Sequence, residues 1–162
     1  MKRIALFVLL AAALRLSGWL PFESRDVADL VPVRALVVSL DGNTVILDGG
    51  EARGSGESWT AALADLDRSA AGDVFLSTAE QLILTGSAVT LLPEIVQSSA
   101  LRPAAQVCFA PEAPPDPSEA ADYLSAHEMD WTVQRVRTAL LRGEAVRLPV
   151  LAETEGGLRL YA

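Results

Sequence analysis

Cysteine, histidine and lysine are almost missing from this chain of 162 residues. A single cysteine, Cys108, excludes an intramolecular disulfide, and one cysteine with one histidine, His127, cannot assemble a four-ligand zinc site. Lys2 is the only lysine; with the abundance of alanine, this reads as base-composition bias rather than chemistry. No apolar run is long enough for a membrane-spanning helix, since the longest, Ile4 to Leu14, has 11 residues. There is no H-E-x-x-H pair, no nucleophile elbow and no G-x-G-x-x-G or P-loop spacing. No cofactor or metal is therefore expected. Positive charge is scarce as well. Ten basic and all 21 acidic residues follow residue 18, which leaves that part at −11 and disfavours binding to a phosphate backbone.

What is present begins with a leader. Met1-Lys2-Arg3 is a basic start, and the 11 apolar residues behind it have signal-peptide length. Residues 1–18 read as a signal peptide or membrane anchor. Cleavage is expected after Ala11-Ala12-Ala13 or near Leu16-Ser17-Gly18; the alternative is an uncleaved anchor with Arg15 snorkelling and Trp19 at the interface. The predicted location is extracytoplasmic, on the membrane or secreted. Residues 19–30 read as a polar connector, and 31–162 as one domain, large enough to fold on its core alone.

Within that domain, Val31 to Leu40 and Thr44 to Asp48 flank Asp41-Gly42-Asn43, which predicts a β-hairpin with Pro32 and Arg34 at a sheet margin. Gly49 to Gly56 reads as a flexible connector. Ser58 is set to cap a helix in which Trp59, Ala62, Leu63, Leu66 and Ala70 share one face, with Asp65, Asp67 and Arg68 turned to water. Val74 to Leu76 and Leu82 to Leu84 suggest short strands. Ser87 to Ser99 is expected to be helical with Pro93 near its first turn. Gln106 to Phe109 is a strand in which Cys108 is a small core or edge residue, not a nucleophile.

After a loop with four prolines, Asp116-Pro117-Ser118-Glu119 is a strong helix start, and Ala120, Tyr123, Leu124 and His127 lie on one face. Asp130 is the expected cap of a last helix that turns Val133, Val136 and Leu140 inward and stops at Gly143. Val146 to Leu151 and Leu158 to Tyr161 form a second hairpin around Glu155-Gly156-Gly157. The sum is an α+β (mixed α/β) domain, with a central mixed sheet, about four helices packed on it and two antiparallel hairpins. His127 with Glu128 or Asp130 is the one arrangement that could serve a small exported hydrolase.

Several of these segments, in the same order, resemble the N-terminal domain of the Ger(x)C family, the C subunits of nutrient germinant receptors in endospore-forming bacteria. Leu16-Ser17-Gly18-Trp19 looks like that family's lipoprotein junction with its cysteine deleted, so Trp19 follows Gly18 and no lipid attachment is expected. Arg25-Asp26-Val27 and Asp29-Leu30 resemble the step into its first strand, and Val33 to Asp41 the strand itself. Ser58-Trp59-Thr60-Ala61-Ala62-Leu63, Phe75-Leu76-Ser77, Leu82-Ile83-Leu84 and Leu148-Pro149-Val150-Leu151 continue the likeness, with Thr78 where a histidine is common. The resemblance covers about half of a full-length member. It implies a non-catalytic accessory protein of spore germination, acting by protein–protein docking on integral-membrane receptor subunits. Trp19, Arg25, Asp26, Asp41 and Trp59 are the implied signature or docking positions. A free-standing small-ligand binder is the remaining alternative.

Overall fold

Ala35, Leu36, Val37 and Val38 are consecutive and all four are buried, which a strand allows only when both faces of its sheet are covered. A computed structural model of the chain describes residues 30–112 and 115–161. It places this run in β2 (Ala35–Asp41), inside a seven-stranded mixed sheet. The other strands of that sheet are β3 (Thr44–Asp48), β4 (Arg53–Gly56), β6 (Gln81–Thr85), β7 (Gln106–Ala110), β8 (Val150–Thr154) and β9 (Gly157–Tyr161). Their order is β4-β3-β2-β6-β7-β8-β9. The central steps β2–β6, β6–β7 and β7–β8 are parallel, and the outer ones are antiparallel. The fold is α+β, as expected, with both predicted hairpins present.

Four α-helices lie among the described residues: α1 (Trp59–Ser69), α2 (Leu92–Gln97), α3 (Pro117–Ser125) and α4 (Val133–Leu141). The pleat divides the core between them. Leu36, Val38, Leu82, Leu84 and Val107 point to the side covered by α1, α2 and α4, where Trp59, Ala62, Leu66, Ile95, Val96, Val133 and Val136 meet them. Ala35, Val37, Ile83, Cys108 and Leu151 point to the other side, under Ala120, Ala121 and Leu124 of α3. The two alanines of α3 allow it to lie close on the strands. Arg34 reaches Asp122 of α3 at 2.7 Å, but both side chains are more than half exposed, so burial rather than this ion pair holds the helix down.

The caps agree with the sequence at two helices. Ser58 Oγ accepts from the Ala61 N–H at 3.2 Å, and one Asp116 carboxylate oxygen accepts from the N–H groups of Ser118 and Glu119. At α4 the cap is Thr132, whose hydroxyl accepts from the Arg135 N–H, and not Asp130. A side chain two residues further from the helix cannot reach its first N–H groups. Arg137 of α4 donates to the carbonyls of Val96 and Ser98, which covers carbonyls that α2 leaves unpaired at its end.

Four other expectations change. The run from Val31 to Leu40 is not one strand: β1 (Leu30–Pro32) is separate and pairs in parallel with β5 (Asp73–Phe75) in a two-stranded sheet. Ser87 does not open an α-helix. Residues Gly86–Leu91 form a 3-10 turn, and α2 starts at Leu92 because Pro93 fits only a helix's first turn. Residues 146–149 are not strand, since β8 starts after Pro149, whose carbonyl accepts from the Phe109 N–H at 2.9 Å. Finally, Gly49 to Gly56 is no loose connector, because its second half is β4. The leader and the expected connector, residues 19–30, lie outside the described residues except for Leu30, which is the first residue of β1 and not connector.

Candidate functional site

Trp19, Arg25 and Asp26 also lie outside the described residues. Asp41 is exposed at the end of β2, opposite Thr44 in the hairpin, where Gly42 takes the positive φ of 59° that a tight turn needs. Trp59 is 2% exposed and belongs to the core between α1 and the sheet, so it has no surface to offer a partner. No hydrogen bond or ion pair joins these two residues.

Cys108 and His127 sit in different settings, one buried and one exposed. Cys108 is fully buried in β7, and burial pushes its thiol up to about 12. His127 donates from Nδ1 to the Tyr123 carbonyl at 2.7 Å and stacks on the Tyr123 ring with centroids 4.2 Å apart. Neither Glu128 nor Asp130 orients the imidazole. Asp130 instead accepts through its backbone carbonyl from Arg135 at 3.1 Å, and Arg135 lies over the Trp131 ring. Among the described residues, no group of three or more His, Cys, Asp or Glu side chains could hold a metal ion. A cleft of ≈ 400 Å³ opens between Glu128, Asp130, Trp131, Arg147, Pro149 and Leu160. Its charged side chains are exposed.

The two edges of the large sheet differ in kind. At the β4 edge, Asp65 of α1 accepts from the Ser55 N–H at 2.9 Å, and the Ser69 hydroxyl donates to the Arg53 carbonyl at 2.5 Å. Arg53 and Ser55 alternate with Gly54 and Gly56, so two of the outward backbone groups of β4, the Ser55 N–H and the Arg53 carbonyl, are engaged by side chains of its own helix. Asp65 is thus more than a solvated charge.

At the β9 edge the direction of each backbone group follows from the register. Pro149 gives its carbonyl to β7, so the alternate residues Val150, Ala152 and Thr154 face β9, where they pair with Tyr161, Arg159 and Gly157. Leu158 and Leu160 therefore turn their N–H and C=O groups away from the sheet. The Leu160 N–H donates to the Tyr123 hydroxyl at 3.0 Å. Among the described residues nothing pairs with the Leu158 N–H, its carbonyl or the Leu160 carbonyl. Sequence reading located β9 as a strand but missed its edge position and the part played by Tyr123. Strand order is a long-range property, and no local signal in Gly157 to Tyr161 carries it.

No protein-family model, no curated protein and no solved structure matches the chain. Among the described residues no helix is long and apolar enough to cross a membrane.

Proposed function

We propose that the protein is a non-catalytic module that acts outside the cytoplasm by docking on an integral-membrane partner, in the manner of the accessory C subunit of a spore germinant receptor. The observation that carries this reading is that the sole cysteine is sealed in the sheet and the sole histidine is tied to the helix that precedes it. The thiol is thereby withdrawn from solvent, and the imidazole, though exposed, has one nitrogen committed to the Tyr123 carbonyl and no carboxylate beside it. The basic, apolar leader supports export, and the acidic surface suits a protein partner rather than a nucleic acid. The likeness to Ger(x)C proteins supports the choice of partner. The absent lipid-bearing cysteine leaves attachment to the leader or to the partner itself.

Affinity capture of the tagged full chain from spore membranes, together with germination assays on a deletion strain, tests the proposal. A specific membrane protein recovered with the bait and a germination defect are expected. Recovery of no membrane protein, with normal germination, overturns it.

One observation favours a second reading. The cleft beside Trp131 has the size of a small-ligand site and is lined by Arg147, Glu128 and Asp130, of which Asp130 also lies 3.9 Å from Arg135; charges of both signs suit a zwitterion. Titration calorimetry with free amino acids and sugars gives heats of binding if this reading holds, and flat traces if it does not.

A further inference from the structure

Sheet edges that are left open are rare in folded proteins, which blunt them with charges, bulges or covering elements. Among the described residues, Asp65 and Ser69 of α1 engage the outward Ser55 N–H and Arg53 carbonyl at the β4 edge, whereas at the β9 edge only the Leu160 N–H is engaged, and the Leu158 N–H and the Leu158 and Leu160 carbonyls have no partner. We infer that β9 is a strand-addition site that takes an extended segment of another polypeptide carrying an acidic residue opposite Arg159. The inference rests on the docking reading and names the surface it would use.

The chemistry of the edge selects this occupant. An incoming strand receives the Leu158 N–H and gives donors to the Leu158 and Leu160 carbonyls, so recognition is of backbone and is direction-setting. Leu158 and Leu160 pack on the α3 side with Leu151, while Arg159 and Tyr161 occupy the opposite face and are exposed. Arg159 has no ion-pair partner among the described residues. The partner strand therefore needs apolar residues on one face and a carboxylate on the other.

A second copy of this chain is a poor occupant. The antiparallel self-pairing that engages both Leu158 and Leu160 sets Leu158 against the other copy's Leu160, and Arg159 directly against the other Arg159. Like charges in that position repel. The same pairing also demands that both Leu160 N–H groups leave Tyr123. Arg159 thus opposes homodimer formation while favouring a partner strand with a carboxylate.

The test uses two capped peptides, Thr-Val-Glu-Val-Thr and Thr-Val-Lys-Val-Thr, titrated into the full chain and followed by amide NMR shifts. The glutamate peptide is expected to shift Leu158 and Leu160 and to bind about two- to fivefold more tightly than the lysine peptide. Leu158→Pro removes the outward N–H at an edge position that tolerates proline, and is expected to abolish the shifts. Arg159→Glu is expected to reverse the charge preference, which keeps the test informative if the proline variant does not fold. Absence of shifts with either peptide, or shifts unchanged in both variants, overturns the inference. So does a Leu158 amide that resists exchange before any peptide is added: protection at all concentrations means that another segment of the chain covers the edge, and concentration-dependent protection means a second copy. In the membrane capture experiment, a partner recovered equally by wild type and Leu158→Pro leaves docking standing and removes β9 as its surface. Peptide binding without any membrane partner does the reverse.

Discussion

Gly54 lies so close under Ala62 that a methyl group in place of its hydrogen would come 2.5 Å from the Ala62 carbonyl oxygen. The Leu66 N–H is closer still. Gly56 repeats the relationship one pleat further, with an added carbon 2.6 Å from the Ala62 nitrogen. Edge strand and helix here meet backbone to backbone.

Replacing either glycine by alanine must push α1 off the sheet. Gly54→Ala is expected to cost at least about 1–3 kcal/mol, the range for overpacked cores, because the obstructing atoms are backbone and cannot rotate away. Gly42→Ala provides the contrast: nothing lies within 4 Å of its added carbon, and only the positive φ of 59° is strained, at roughly 1–2 kcal/mol. Urea denaturation of the three proteins distinguishes the mechanisms, since Gly54→Ala should also speed amide exchange along α1 while Gly42→Ala leaves α1 unchanged.

Among the described residues Trp59 is the largest fully buried side chain, yet its buried indole N–H has no hydrogen-bond partner among them. Trp59→Ala is expected to lose about 3–5 kcal/mol through the cavity it leaves. Trp59→Phe gives up some volume but also removes an unsatisfied donor, and the two effects oppose one another. It should cost far less, and a loss equal to that of the alanine variant would mean the indole nitrogen is paired in solution. Either outcome reads on stability, as expected of a core residue.

Local chemistry made much of this fold legible. The Asp41-Gly42-Asn43 turn, the Ser58 cap and the Asp116-Pro117 start are each decided within four residues of sequence, and each occurs where the sequence places it. Reading failed where the decisive partner is distant. Gly54 and Gly56 resemble linker glycines until a helix is seen lying on them, and β1 stands apart from β2 because its partner is β5, 43 residues further on in register. The candidate docking edge was the least legible feature. Leu158 and Leu160 differ in no local way from residues of a central strand, and only the order of seven strands makes them outermost.

Cys108 ties stability to alkaline pH. Its folded pKa of about 12 stands above the ordinary value of 9.0 because burial disfavours the thiolate. Below pH 9 both folded and unfolded chains hold the proton, and the residue contributes no pH dependence. Between about 9 and 12 the unfolded chain releases it and the folded chain does not, so the folded state binds more protons and stability falls as pH rises. The slope from this group approaches about 1.4 kcal/mol per pH unit. Cys108→Ala should lack that slope, and the difference between the two proteins' unfolding free energies across this range isolates it from other alkaline titrations. Parallel curves for the two would show that the thiol is not desolvated.

Asp65 offers the sharpest test of the contrast between the two sheet edges. Its carboxylate accepts the Ser55 N–H and also pairs with Arg68 at 2.9 Å, and the pair is exposed enough that its Coulombic part is worth little. The larger consequence of Asp65→Ala is a freed outward N–H on β4. With Ser69→Ala added, the Arg53 carbonyl is freed as well, and this edge loses both side-chain bonds to its backbone. The double variant is expected to lose about 1–2 kcal/mol for the two hydrogen bonds and to self-associate through β4 at concentrations where wild type stays monomeric. Sedimentation velocity measures the association, and amide exchange at Ser55 reports whether the edge has opened. An exchange rate at Ser55 that rises without any association would mean that the bulk of α1, and not its polar side chains, is what guards this edge.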